Sequence, residues 1–360
     1  GFDFGRKRSV MEQIERNRIA KNILIGVLYV CAFLIAIFIS FAFSASIWIR
    51  LLLVVCGLLI GWSVSAFAHE LGHAIAAKRN GFEVAAFSFL IFRYDKQAIK
   101  KFTVSFKNDF LGATDVVPVS KEDIGRHYAI TVAGGLIGSL IASAVLTAGF
   151  MLSIVLSSPL AAMFFCGMPL SLVILIINAI PGFVNGNDGS EFEKMMKECD
   201  EKTATIRLLT ITAELYEGKS YAEIDEALFE SDLKISPALK LRFALLNLRR
   251  AEELFVPKKI VENLEKLQAG EDYLDDEASI EILFAYILIG DESKIAEYEY
   301  LLDKCDTLPG ASGMRTLVYY ANHKGDDKYV KATLKSAKKI CAKAYLKGDG
   351  KFNAEMLSRL

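Results

Sequence analysis

The chain has 360 residues, 53% of them hydrophobic, with a mean hydropathy of +0.33. Soluble domains run at roughly 45–50%, so a membrane part is expected, and the length allows about one to three domains. A formal net charge of −1 argues against nucleic-acid binding by bulk charge. The six cysteines form no C-x-x-C pair and read as scattered reduced thiols, not a disulfide framework.

Residues 1–21 are polar and basic, with Arg6, Lys7, Arg8, Arg16, Arg18 and Lys21. Asn22 to about Phe43 is almost purely apolar and long enough to span a bilayer, which takes about 20 residues. A cleaved signal peptide would have a shorter apolar core of about 7–15 residues. The positive-inside rule then places the N-terminus in the cytoplasm. A second apolar run, Ile47 to about Ala77, returns to that side and ends at Lys78-Arg79-Asn80-Gly81, a basic, helix-terminating flank.

The end of this second run carries His69-Glu70-Leu71-Gly72-His73, an H-E-x-x-H motif. Residues four apart share one helix face, so the two imidazoles can converge on one point. In a soluble helix the pattern is often only a solvated face. An apolar segment offers no such face, and ionisable groups there are rare and usually functional. Two of the chain's four histidines sit in the motif. Zinc suits two neutral imidazoles, with Glu70 handling protons on bound water.

Residues 82–120 are rich in aromatic and β-branched residues. Phe82 to Phe92 and Phe102 to Phe106 read as short strands, joined by a polar turn over Arg93–Lys101. Such a β-ribbon could receive an extended substrate as an added strand, or merely connect two spans. A third apolar run covers 127–156. It contains Ala133-Gly134-Gly135-Leu136-Ile137-Gly138-Ser139, whose small residues allow close helix approach. His127 reads as a boundary residue. A fourth run, Leu160 to about Ile180, leads through Pro181 to Asn187-Asp188-Gly189. Four spans bring Asp188 back to the side of His69 and His73, where a third zinc ligand has to be. Asn-Asp-Gly also suits an ordinary turn, and the two roles are compatible.

From residue 191 onward, charge is frequent and apolar residues recur three or four apart, which predicts amphipathic helices. Gly218, Gly290 and Gly325 each follow one helix and precede another, and a glycine-free turn falls near Leu254–Pro257. The spacing is about 35 residues per helix pair, the period of tetratricopeptide-like arrays, which present concave surfaces to peptides or proteins. A plain helical domain is the alternative. His323 reads as an exposed turn residue.

His69-Glu70-Leu71-Gly72-His73, the glycine-rich third run, and Asn178-x-x-Pro181 leading to Asp188-Gly189 resemble the site-2 protease family of intramembrane zinc metalloproteases. The resemblance covers roughly residues 47–190. It implies His69, His73 and Asp188 as zinc ligands and Glu70 as general base. It also implies cleavage of membrane-spanning segments of other proteins, in regulated intramembrane proteolysis or signal-peptide remnant processing, in a bacterial cytoplasmic membrane. The chain departs from the family at Asn187, where leucine is usual, and in a loop two residues longer before Asp188. It also lacks the family's asparagine in the third run, and Asn178 or Asn185 are the candidates to supply that amide.

The expected fold is mainly α: about four transmembrane helices, a small β-ribbon and a C-terminal helical-repeat (TPR-like) domain. Residues 1–21 form a cytoplasmic segment, 22–190 a membrane metalloprotease core and 191–360 a cytoplasmic repeat domain. The expected partners are a membrane-spanning protein substrate, the lipid bilayer and a cytoplasmic protein or peptide at the repeat domain. The rival reading is a catalytically silent membrane adaptor or immunity protein whose repeat domain binds a cytoplasmic partner.

Overall fold

A computed structural model of the chain describes residues 20, 22–38, 41, 46–96, 98, 101–104, 112–156, 160–184, 186–230, 233–269, 274–305 and 311–360. All but one of residues 1–21, and Asn185, lie outside these described residues. The described chain is mainly helical, with one four-stranded antiparallel sheet.

Helix α1 (Asn22–Phe38) precedes α2 (Ile47–Arg79), and after the sheet come α3 (Ile124–Val155) and α4 (Leu160–Ala179). Among the described residues, α2 and α3 are long and apolar enough to cross a membrane, with hydropathies of 2.3 and 2.1. Helix α1 and the Met163–Ala179 part of α4 are apolar but shorter. Ser46 caps α2 by accepting from the Ile49 amide, and Lys78 and Arg79 in its last turn face the negative end of the helix dipole.

Helices α2, α3 and α4 pack against one another. The α2–α3 contact is a backbone approach at Gly134 and Gly138. A Cβ on Gly134 would fall 2.5 Å from the Gly72 carbonyl oxygen, and one on Gly138 would fall 2.0 Å from that of Ala68. This holds α3 against the turn that carries the H-E-x-x-H motif. Ser143 on α3 and Ser171 on α4 share a buried hydroxyl contact at 2.8 Å. The outer faces stay apolar and exposed, with Trp48, Leu52 and Leu59 on α2 and Ile137, Leu140 and Ile141 on α3.

The sheet consists of β1 (Phe82–Phe89), β2 (Phe92–Asp95), β3 (Phe102–Val104) and β4 (Ala113–Pro118), in the order β3-β2-β1-β4. The sequence predicts two strands around a polar turn at 93–101. Instead the chain turns at Leu90–Ile91, where Leu90 adopts φ 51, and β2 occupies the start of the predicted turn. Arg93 explains why a polar stretch forms a strand. Its guanidinium meets Asp95 at 3.0 Å and Asp115 at 3.2 Å, tying the hairpin to β4. The opposite face is aromatic: Phe92 opposes Val104, Tyr94 opposes Phe102, and all four side chains are exposed.

After α4 come α5 (Asp188–Met196) and α6 (Asp200–Glu217), then α7 (Pro237–Glu253), α8 (Pro257–Gln268), α9 (Asp276–Ile289), α10 (Glu292–Tyr298), α11 (Ser312–His323), α12 (Asp327–Cys341) and α13 (Lys347–Ser358). Helix α6 packs on β4 and on the start of α3. Around this joint Ala77, Phe82 and Ile124 are buried with Ile206 and Leu209 against them. Gly218 and Gly290 end α6 and α9 with positive φ, while Phe255, at φ 56, makes the glycine-free turn between α7 and α8. The helical core is built on Ile211, Leu248, Ile280, Phe284 and Phe352. Within it, Arg315 pairs with Glu281 at 2.6 Å and lies 3.6 Å over the Phe284 ring. His323 is the last residue of α11 and is only part exposed, since it pairs with Glu292 at 2.7 Å.

Candidate metal centre

The site begins in α2. His69 and His73 lie one turn apart, and their Nε2 atoms are 3.3 Å from each other. Asp188, the first residue of α5, places its Oδ2 3.1 Å from both. These three residues form the one group among the described residues that could hold a metal ion.

Each ligand is oriented by a neighbour. His73 Nδ1 donates to the Thr131 carbonyl at 2.9 Å. A carbonyl only accepts, so the proton sits on Nδ1 and the Nε2 lone pair faces the site. His69 Nδ1 lies 2.8 Å from the Ser139 hydroxyl, with both groups buried. Asp188 is positioned by Asn187, the N-cap of α5. Asn187 Nδ2 donates to the Ile177 and Ile180 carbonyls at 2.7 and 2.8 Å, and its Oδ1 accepts from the Ser190 amide and hydroxyl. One side chain thus closes the end of α4 and starts α5. The loop between α4 and Asp188 is bridged in this way, and the carboxylate reaches both imidazoles.

Three observations fit a cation. Asp188 Oδ2 is buried and accepts no well-formed hydrogen bond, although two nitrogens stand 3.1 Å away. Donors held about 2.0–2.1 Å from a tetrahedral ion stand roughly 3.3–3.4 Å apart, close to the separations found. Gly135 makes the room: a Cβ there would fall 2.2 Å from His73 Nε2 and 2.8 Å from Asp188 Oδ2.

Glu70 is buried beside this group. Thr114, at the start of β4, donates to Glu70 Oε2 at 2.6 Å. A Cβ on Gly112 would fall 2.7 Å from Glu70 Cγ, so the β4 entry lies directly over the carboxylate. The sheet thus forms one wall of the site.

No protein-family model, curated protein or solved structure matches this chain. The chemistry of the site is therefore read from its own atoms.

All four residues singled out by sequence lie together. Asn178 does not enter the site, because its side chain donates to the Ile174 carbonyl one turn back. His127 lies in the first turn of α3 and is not part of the group. Sequence reasoning missed Ser139, Thr131, Thr114 and Asn187. The Ala133–Ser139 run did signal close packing, without showing that Gly135 clears space for the ligands.

Proposed function

We propose that the chain is an intramembrane zinc metalloprotease that hydrolyses peptide bonds in or near membrane-spanning segments of protein substrates. The observation that carries this is the convergence of His69, His73 and Asp188 beside Glu70, on helices with apolar, exposed outer faces. Exposed apolar surface on this scale suits a lipid environment. Two imidazoles and a carboxylate suit zinc, and three protein ligands leave a fourth position for water or substrate.

When bound, zinc supplies a Lewis acid that acidifies water and polarises a carbonyl. His69 and His73 present their Nε2 lone pairs and Asp188 its Oδ2 to hold it. Glu70 takes the proton from the attacking water and later returns it to the leaving amine. Thr114 orients the Glu70 carboxylate. The substrate must present an extended segment, because helical carbonyls are already engaged. Strand β4, the edge strand that carries Thr114, offers such a segment a pairing partner next to Glu70.

In this reading α1 and α4 join α2 and α3 as spans, both termini are cytoplasmic, and the cell membrane is bacterial. The helices from α6 onward form a cytoplasmic, TPR-like array that engages a protein or peptide partner. The test is a survey of new peptide N-termini in membranes holding the wild-type chain or Glu70→Gln. New termini inside apolar segments are expected with the wild type and not with the variant. Identical patterns in both would overturn the reading.

A further inference from the structure

Helix α12 carries Lys328, Lys331, Lys335, Lys338 and Lys339, all exposed, with Lys343 just beyond its end. At 3.6 residues per turn the five helical lysines fall within an arc of roughly 100°. Val330, Ala337 and Cys341 are buried on another side of the same helix. Among the described residues, no carboxylate pairs with any of these six ammonium groups. Elsewhere in the helical part Lys202, Lys219, Lys259, Lys266, Lys294 and Lys351 each meet an acidic side chain, and the lysines without one, such as Lys234, Lys240 and Lys258, do not form a row of five on one helix face.

The arrangement works against the helix itself. Lys328 and Lys331, Lys331 and Lys335, Lys335 and Lys338, and Lys335 and Lys339 are like-charged neighbours three or four residues apart, a spacing that destabilises. The helix dipole offsets this only for Lys338 and Lys339 in the last turn. A ligand of opposite charge would offset the rest.

The composition narrows the ligand. The stripe contains lysine alone, without arginine, so it offers compact point charges and not the planar fork that grips one carboxylate. No aromatic or aliphatic side chain interrupts the row. Such a row suits a plane of phosphates better than a folded acidic partner. Position agrees. Just past α12, Tyr345 donates to Glu83 of β1 at 2.9 Å, and Lys96 lies 5.5 Å over the Tyr345 ring. Strand β1 starts three residues after α2 ends at Arg79. The segment that follows α12 is therefore docked on the sheet that begins where α2 stops.

We infer that the lysine face of α12 rests on the anionic headgroup plane of the membrane into which α2 and α3 insert. This rests on the membrane placement under Proposed function. The contact steadies the helical part against the bilayer.

The test is lysine acetylation footprinting of the full-length chain in nanodiscs, read by mass spectrometry. One set contains phosphatidylcholine alone and the other includes phosphatidylglycerol. Lys328, Lys331, Lys335, Lys338 and Lys339 are expected to react at least fivefold more slowly in the anionic discs. High salt should remove the protection, and Lys258 on α8 should be unchanged. In Lys331→Glu/Lys335→Glu, protection of Lys328 and Lys338 should be lost. Equal reactivity in both discs would overturn the inference and turn attention to an acidic protein partner. Failure of the chain to enter nanodiscs at all would instead overturn the membrane placement.

Discussion

Gly135 has no chemistry of its own, yet it determines whether the three ligands can share an ion. Its missing side chain leaves the space in which His73 Nε2 and Asp188 Oδ2 meet. Gly135→Ala is therefore expected to abolish metal binding while the helices remain folded, as measured by metal content and circular dichroism. Retained metal in that variant would show that α3 can move away from α2. His69 and His73 were legible in the sequence because helical periodicity puts residues four apart on one face, and Glu70 because it completes the H-E-x-x-H motif. Asp188 was legible through counting spans and through the resemblance carried by Asn178-x-x-Pro181 and Asp188-Gly189. Thr131, Ser139 and Thr114 were not legible, because each acts from an element distant in sequence. A lone threonine or serine in an apolar run carries no signal of what it will face.

At the scale of elements, α5 matters most. Its nine residues start at the ligand, and its N-cap is the asparagine that holds the end of α4. Removing that amide frees two carbonyls and the first turn of α5 together. Asn187→Ala is expected to weaken metal affinity by about 10–100-fold, the usual effect of losing a group that orients a ligand. Competition with a zinc chelator would measure it, and unchanged affinity would show that Asp188 is placed by α5 packing alone. Asn187 is thus a working residue of this chain, joining the end of α4 to the start of α5. The sheet was only half legible. Aromatic and β-branched content located it, but the left-handed turn at Leu90 and the Arg93–Asp115 pairing depend on strands meeting in space. The apolar helices were legible nearly to their ends, since a long unbroken apolar run leaves few alternatives.

The whole molecule joins two kinds of interior. Helices α2 to α4 contact each other through glycine and serine and leave large apolar side chains outside. The helical part from α6 onward buries its apolar residues and, with them, Arg249, Arg315, Glu252 and Glu281. Burial and the neighbouring Glu281 carboxylate push the Glu252 carboxyl well above its ordinary value, which favours its uncharged form. Glu281 is penalised by burial too, but Arg315 and Arg249 more than offset this and hold it low. A carboxyl raised on folding contributes fully below its unfolded value of about 4.3 and loses that contribution as pH rises. The thermal stability of the helical part is therefore expected to fall from pH 5 to pH 8 by an amount that Glu252→Gln reduces. An identical slope in the variant would mean that the charge on Glu252 is satisfied within the fold.

The most direct test is the zinc content of the detergent-purified chain, with Asp188→Ala, His73→Ala and Glu70→Gln beside the wild type. About one zinc per chain is expected in the wild type and in Glu70→Gln, and none in the two ligand variants. A wild-type chain without zinc, or zinc retained after Asp188→Ala, would contradict a three-ligand centre shared by α2 and α5, and with it the proposed proteolysis.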